Sequence, residues 1–250
     1  ITVDIPEGTA LNPKWPAPVG GFADVMFGPV QGCMLAILGQ IIPERLSATL
    51  RSGANQVNAS GRNSDGESIW HIFEFASGGW PACKDNDGNL NTYQGDMGDL
   101  PTVWPFERME QIRPLKGQIN RMYRDSGGPG FRRGGLGLER LWEVTAESGS
   151  LSILTSDAIL PRPGLSMGYG GALNSITLIR DGEEITMSDI PGKVAGFPLE
   201  QGDVVVTHSS GGGGYGDPLS RPFDWVKADL DDGYISVAGA KSDYGVIFDG

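Results

Sequence analysis

Residues 204–219 read Val-Val-Val-Thr-His-Ser-Ser-Gly-Gly-Gly-Gly-Tyr-Gly-Asp-Pro-Leu. A β-branched strand stops in four consecutive glycines. Each glycine loses more conformational entropy on folding than alanine, so such a run weakens any ordinary packed element. A chain keeps it where the backbone must reach positive φ or come very close to something else. A ligand, an anion and another stretch of chain all meet that description. Gly211, Gly213 and Gly216 also fit a GxGxxG spacing behind a strand. A dinucleotide fold needs a helix at the third glycine, but Pro218 and Pro222 follow and no βαβ pattern surrounds the motif. Two readings stay open for Gly211, Gly212, Gly213, Gly214, Tyr215 and Gly216: an amide nest for an anionic substrate, or a tight crossing of strands.

The rest of the chain is consistent with a turn-rich β protein. It has 39 glycines and 17 prolines in 250 residues, without a repeat period, and 39% apolar residues, which is too apolar for disorder. The formal net charge of −12 argues against nucleic acid and anionic membrane surfaces as partners, since both require basic patches. Cys33 and Cys83 make no CxxC pair and read as reduced thiols of a cytoplasmic protein. No apolar stretch approaches the roughly 20 residues of a membrane helix. The start, Ile1-Thr2-Val3-Asp4, has no basic region or initiator Met, so it reads as a strand cut from something longer or as a processed terminus.

Periodicity predicts an α+β fold that is mostly antiparallel β, with glycine-rich loops. Strands are expected over 1–5, 68–75 and 204–207, with further strand material over 104–119 interrupted by Pro105 and Pro114. Hairpins are expected for 140–144 with 151–154 and for 175–180 with 184–187. A helix is expected over 30–46, where Val30, Met34, Ile37, Leu38 and Ile41 share one face. Two short helices close the chain, one over 222–230 and one from the Ser236 cap to Tyr244, with Gly245 as its stop. No linker divides the chain, so residues 1–250 read as a single domain or as part of a larger one.

Arg132 and Arg133 lie in a second glycine cluster, Asp-Ser-Gly-Gly-Pro-Gly-Phe-Arg-Arg-Gly-Gly-Leu-Gly over 125–137. Arginines beside flexible backbone suit a carboxylate, phosphate or bicarbonate, and equally suit ion pairs with the chain's own carboxylates. His71 and His208 are the two histidines. His71 sits in an apolar strand and reads as a core histidine. His208, directly before the glycine run, is a candidate general acid or base, and Asp217 behind the run is a second catalytic candidate. Asp96, Asp99 and Glu107 have no metal-ligand spacing, so no metal site is expected on this chain. No GxSxG elbow is present, and Ser209 and Ser210 beside His208 do not make a nucleophile–base pair.

The glycine run, read with 225–248, resembles the C-terminal signature of the hydantoinase B/oxoprolinase superfamily. The Asp125-Ser126-Gly127-Gly128 and Arg133-Gly134-Gly135 block, Pro163-Gly164 with Gly170-Gly171, and Gln201-Gly202-Asp203 resemble family blocks in the same order. The resemblance implies the C-terminal half of an N-methylhydantoinase B-type or ketone carboxylase α-type subunit. It implies part of a catalytic subunit of an ATP-dependent enzyme, acting on a phosphate-activated substrate by ketone carboxylation or by opening a cyclic amide, hydantoin or oxoproline ring; Asp96-Met97-Gly98-Asp99 resembles the ketone carboxylase branch and tilts the expectation toward carboxylation. The alternative is a non-catalytic assembly subunit. It further implies an ATP-binding hydantoinase A-type partner, a possible chain supplying the N-terminal half, and MgATP with a divalent metal (Zn or Mn) held outside this chain.

Overall fold

The computed structural model describes residues 4–18, 28–49, 55–62, 65, 67–92 and 104–248. Two antiparallel sheets form its centre. The first has four strands: β1 (Asn55–Arg62), β2 (Ser68–Ala76), β5 (Ser148–Leu154) and β8 (Lys193–Glu200), in the order β2-β1-β5-β8. The second has five strands: β3 (Leu115–Met122), β4 (Leu138–Val144), β6 (Ser175–Arg180), β7 (Glu183–Ile185) and β9 (Val204–His208), in the order β3-β4-β9-β6-β7.

Burial alternates along β1 and β4, as the two-residue period of a strand with one apolar face requires. Val57, Ala59, Trp70, Ile72, Leu151, Ile153 and Leu199 from the first sheet meet Leu115, Trp142, Val144, Leu178 and Val205 from the second in one core. The architecture is a two-layer sandwich flanked by helices, so the expected α+β, mostly antiparallel class holds. Two buried polar links run between the layers. Glu74 on β2 faces Arg140 on β4 at 2.7 Å, and the Asn55 amide on β1 donates to the His208 carbonyl on β9 at 3.1 Å.

Several predicted elements change. The 140–144 and 151–154 strands do not form a hairpin, because β4 lies between β3 and β9 while β5 lies between β1 and β8. The chain crosses from one layer to the other between them. The expected strand material over 104–119 is a helix, α2 (Phe106–Ile112), followed by β3. Pro105 at φ −65° occupies its N-cap, and Met109 faces inward. The second predicted hairpin forms as β6 with β7. Ile1 to Val3, Asp96 and Asp99 lie outside the described residues.

The 30–46 helix forms as α1 (Gly28–Gly39) and gives way to a 3-10 turn at Pro43–Arg45. The C-terminal pair forms as α3 (Phe223–Asp231) and α4 (Val237–Tyr244). The Ser236 hydroxyl accepts from Gly239 N at 2.9 Å, and Gly245 takes φ 68° at the C-cap. These helices enclose a second small core of Val226, Ile235, Ala240 and Tyr244. Among the described residues no helix is long and apolar enough to cross a membrane.

Candidate functional site

The glycine run leaves the end of β9 and enters the centre of a bundle of extended backbones. A Cβ on Gly211 would strike the Ser126 carbonyl, one on Gly212 the Trp80 carbonyl, one on Gly213 the Pro163 oxygen at 2.8 Å, and one on Gly214 the Pro129 carbonyl. The neighbour at Gly214 is again the segment met at Gly211. The run is enclosed by the stretches 126–129, 80–81 and 163–164. The φ of all four glycines is negative, so close approach and not left-handed backbone requires the missing side chain. Gly216, at φ 78°, is the one member of the run with left-handed backbone.

Five of the run's amides are paired within the bundle. The amides of Gly211, Gly212, Gly214 and Gly216 donate to the carbonyls of Ala172, Gly135, Tyr169 and Leu165 at 2.9–3.2 Å. Tyr215 and Arg132 exchange both backbone hydrogen bonds at 2.9 Å. Those five amides are therefore not presented to an anion.

His208 closes β9 just before this bundle, and the sheet builds a polar row around it. Arg121 on β3 lies opposite Glu139 on β4, Glu139 opposite His208 on β9, and His208 opposite Ser175 on β6. All four point away from the sandwich core, because Leu138 and Arg140 on β4 and Thr207 on β9 take the other face. The His208 ring is held on both nitrogens. Ser175 Oγ lies 3.1 Å from Nδ1, and Glu139 Oε1 lies 3.3 Å from Nε2. Tyr123 stacks on the imidazole with ring centres 4.4 Å apart.

Arg121 pairs with the second oxygen of Glu139. That hydrogen bond holds the Glu139 carboxyl below the ordinary carboxylate range; burial opposes the shift, and His208 adds to it. A cleft of about 460 Å³ opens beside the row, lined by Arg121, Tyr123, Arg124, Glu139, Asp232 and Tyr234. With Glu139 accepting from Nε2–H, Nδ1 is the acceptor for the Ser175 hydroxyl. That is the geometry of a carboxylate–imidazole–hydroxyl relay, with the two ring nitrogens exchanged relative to the serine-protease arrangement. Ser175 is exposed, so the relay ends at a hydroxyl open to solvent.

The other predicted site residues fall elsewhere. Arg133 is buried, with Nε 3.2 Å from Asp229, and its NH1 donates to the Gly134 carbonyl at 2.6 Å. Arg221 joins them, bidentate to Asp87 and 2.8 Å from Asp229. Burial pushes the Asp87 carboxyl up, but Arg221 and then Arg133 outweigh it and hold it below the usual range. The buried Tyr244 beside this cluster has its phenol pushed up by desolvation. Arg132 lies apart from the cluster. Its guanidinium stacks over Trp225 at 4.5 Å, and its buried Nε has no hydrogen-bond partner. Asp217 caps the short turn Pro218–Ser220, accepting from Leu219 N at 2.9 Å. His71 is exposed on edge strand β2 and stacks on Phe73, contrary to its reading as a core histidine. Among the described residues no three His, Cys, Asp or Glu side chains gather in a metal-binding group.

Comparison with known proteins follows the same outline. The family model for hydantoinase B/oxoprolinase matches residues 1–218. The beta chain of the caprolactamase of Pseudomonas jessenii is 30% identical over 272 residues, covering 100% of this chain and 44% of that one. The B-type component of a putative D-/L-hydantoinase from a Pseudomonas species is 29% identical, covering 98% and 40%. The acetone carboxylase alpha subunit of Xanthobacter autotrophicus is 26% identical, covering 97% and 36%. The crystal structure of the ATP-dependent caprolactamase superposes with a TM-score of 0.84 at 26% identity, covering 100% of this chain and 44% of that one. The chain thus spans about two fifths of the length of the curated relatives it matches.

Proposed function

The chain belongs to the hydantoinase B/oxoprolinase family, and from that premise we propose that it is part of the catalytic subunit of an ATP-dependent enzyme that opens a cyclic amide. The relatives named for caprolactam and hydantoin chemistry are 30% and 29% identical, above the acetone carboxylase alpha subunit at 26%. That order favours ring opening over the ketone carboxylation also implied by the sequence. MgATP and a divalent metal, Zn or Mn, are assigned to an ATP-binding A-type partner and to the part of the subunit this chain does not span. The role proposed for this chain is proton transfer by its own side chains. The setting that accompanies this reading is the cytoplasm.

One observation carries the catalytic part: His208 is fixed by Glu139 and Ser175, and Glu139 and Tyr123, which both touch it, line an open cleft. A neutral imidazole so placed takes a proton through the Ser175 hydroxyl, and the imidazolium returns one to a departing nitrogen. Glu139 orients the ring through its contact with Nε2. Arg132, Arg133 and Asp217 are assigned to support: stacking on Trp225, the buried ion cluster and the turn after the run.

The test is turnover by the complete assembly with MgATP on caprolactam, hydantoin and 5-oxoproline, and on acetone with bicarbonate. A ring-opened product is expected. His208→Gln is expected to lower kcat by about 10²–10⁴-fold while the assembly stays intact. Glu139→Gln is expected to displace the pH–rate profile. Full activity of His208→Gln would remove the catalytic role. The scaffold reading is favoured by the amides of Gly211, Gly212 and Gly214, which are spent inside the chain. It gains if alanine at Arg132, His208 or Asp217 only dissociates the complex.

A further inference from the structure

Helix α1 is packed the opposite way to an ordinary surface helix. Its buried residues are Gly28, Gly32 and Gly39. Gly32 sits against Arg162 and Thr49, and Gly39 against Leu165, so the side without side chains lies on this chain. The face expected to enter the core faces outward. Val30 is 37% exposed, Met34 57%, Ile37 60%, Leu38 40% and Ile41 70%. Cys33 is exposed beside them. No charged residue interrupts the helix, in a chain with 20% charged residues. An apolar helix with a bare apolar face is half of a buried contact. In the segment that carries Arg162, Ile159 and Leu160 are 65% and 75% exposed, and Ile190 is 59% exposed. These three line a shallow cavity of about 530 Å³.

We infer that this surface seats the remainder of the family subunit, the portion that this chain does not span. The inference rests on the reading that the chain works as part of such a subunit. Two observations select this occupant. More than half of each matched relative's chain lies outside the match, yet the caprolactamase chain contains the whole of this chain's fold. That additional chain must cover part of this fold, and an uncharged apolar helix is suited to permanent burial. A second copy is a poorer fit. A stable homodimer buries about 800 Å² per partner, whereas the bare face of α1 is five side chains on a helix about 18 Å long, with Ile41 just past its end.

Cys33 supplies the test. Its reaction with a maleimide is measured in the isolated 250-residue chain and in the assembly purified from source cells. The expected result is at least tenfold slower labelling in the assembly. A cross-linker placed at Cys33 is expected to capture the polypeptide segment that corresponds to the rest of the subunit. Ile37→Glu is expected to reduce co-purification of that segment more than tenfold while leaving the circular dichroism and Tm of the isolated chain unchanged. An assembly that contains the segment but leaves Cys33 equally reactive overturns the surface and spares the proposed function. Capture of a second copy, or of the ATP-binding subunit, overturns the occupant. A lone active monomer overturns the multi-subunit reading and this inference with it.

Discussion

Gly212→Ala tests directly what the glycine run is for. The added methyl would lie well inside 3.0 Å of the Trp80 carbonyl and 2.7 Å from Pro81 N. All are main-chain atoms, so no side chain can rotate to make room. Overpacking a well-packed interior costs about 1–3 kcal/mol. Moving the strands apart also stretches the bonds from Gly212 N to Gly135 O (3.0 Å) and from Gly128 N to Gly212 O (2.8 Å), at about 1 kcal/mol each. Alanine returns about 0.4–1 kcal/mol by restricting the unfolded chain. The net expectation is a loss of about 2–5 kcal/mol, against about 5–15 kcal/mol for a whole domain.

Urea unfolding followed by tryptophan fluorescence measures this loss. With a slope of about 2–3 kcal/mol per M, the midpoint falls by at least about 0.7 M at unchanged slope. The four glycines should also rank. Gly211 and Gly214 meet backbone as closely as Gly212, whereas the nearest backbone atom at Gly213 is 2.8 Å away, so its alanine variant should cost least. Gly182→Ala, where a Cβ has open space at φ 82°, is the control, with strain of about 1–2 kcal/mol. A Gly212→Ala protein within about 1 kcal/mol of the parent, unable to turn over substrate, would refute close packing and restore the anion nest.

Glu74→Leu strands the Arg140 charge, whose side chain is 0% exposed; a loss of about 3–5 kcal/mol is expected by urea unfolding. The double change Glu74→Leu with Arg140→Met should recover most of it, and a double-mutant cycle measures the coupling. Asp87 is held below its ordinary value. Between that value and the unfolded carboxylate value near 4 the unfolded chain binds the extra proton. The stabilisation is therefore complete above the unfolded value and is lost as pH falls through the folded one. Urea midpoints from pH 6 to pH 3 should fall less steeply for Asp87→Asn than for the parent.

Elements whose signals are local agree between sequence and structure. The Ser236 cap and Gly245 stop frame α4, and the Asp181-Gly182 turn joins β6 to β7. Signals shared by two outcomes mislead. Apolar alternation marks 140–144 and 151–154 as strands but says nothing about which layer each joins, so a crossing between sheets reads as a hairpin. Pro105 interrupts a strand and equally begins a helix, and it begins α2. The apolar stripe of α1 is legible, but its direction is not, because periodicity reports that a face is apolar and not what lies against it.

The candidate site is legible at one residue of four. His208 is conspicuous beside the glycine run. Ser175 and Glu139 lie 33 and 69 residues from it, and Arg121 reaches the row only through Glu139. No motif joins them; they meet because β3, β4, β9 and β6 are neighbours in one register. A slip of one residue would turn any of them to the other face.

Four adjacent glycines weaken an ordinary packed element, so residue order is enough to require that 211–214 either take positive φ or come very close to something else. Residue order also carries the family, since the glycine blocks recur in sequence, and the caps of the last helix, since cap chemistry is contained within a few residues. Only in three dimensions does it emerge that the glycines meet backbone, that Arg133 meets Asp229, and that a carboxylate and a hydroxyl hold His208. Those outcomes depend on which distant strands become neighbours. That choice is made by burial summed over the whole sandwich, and no local window of residues contains it.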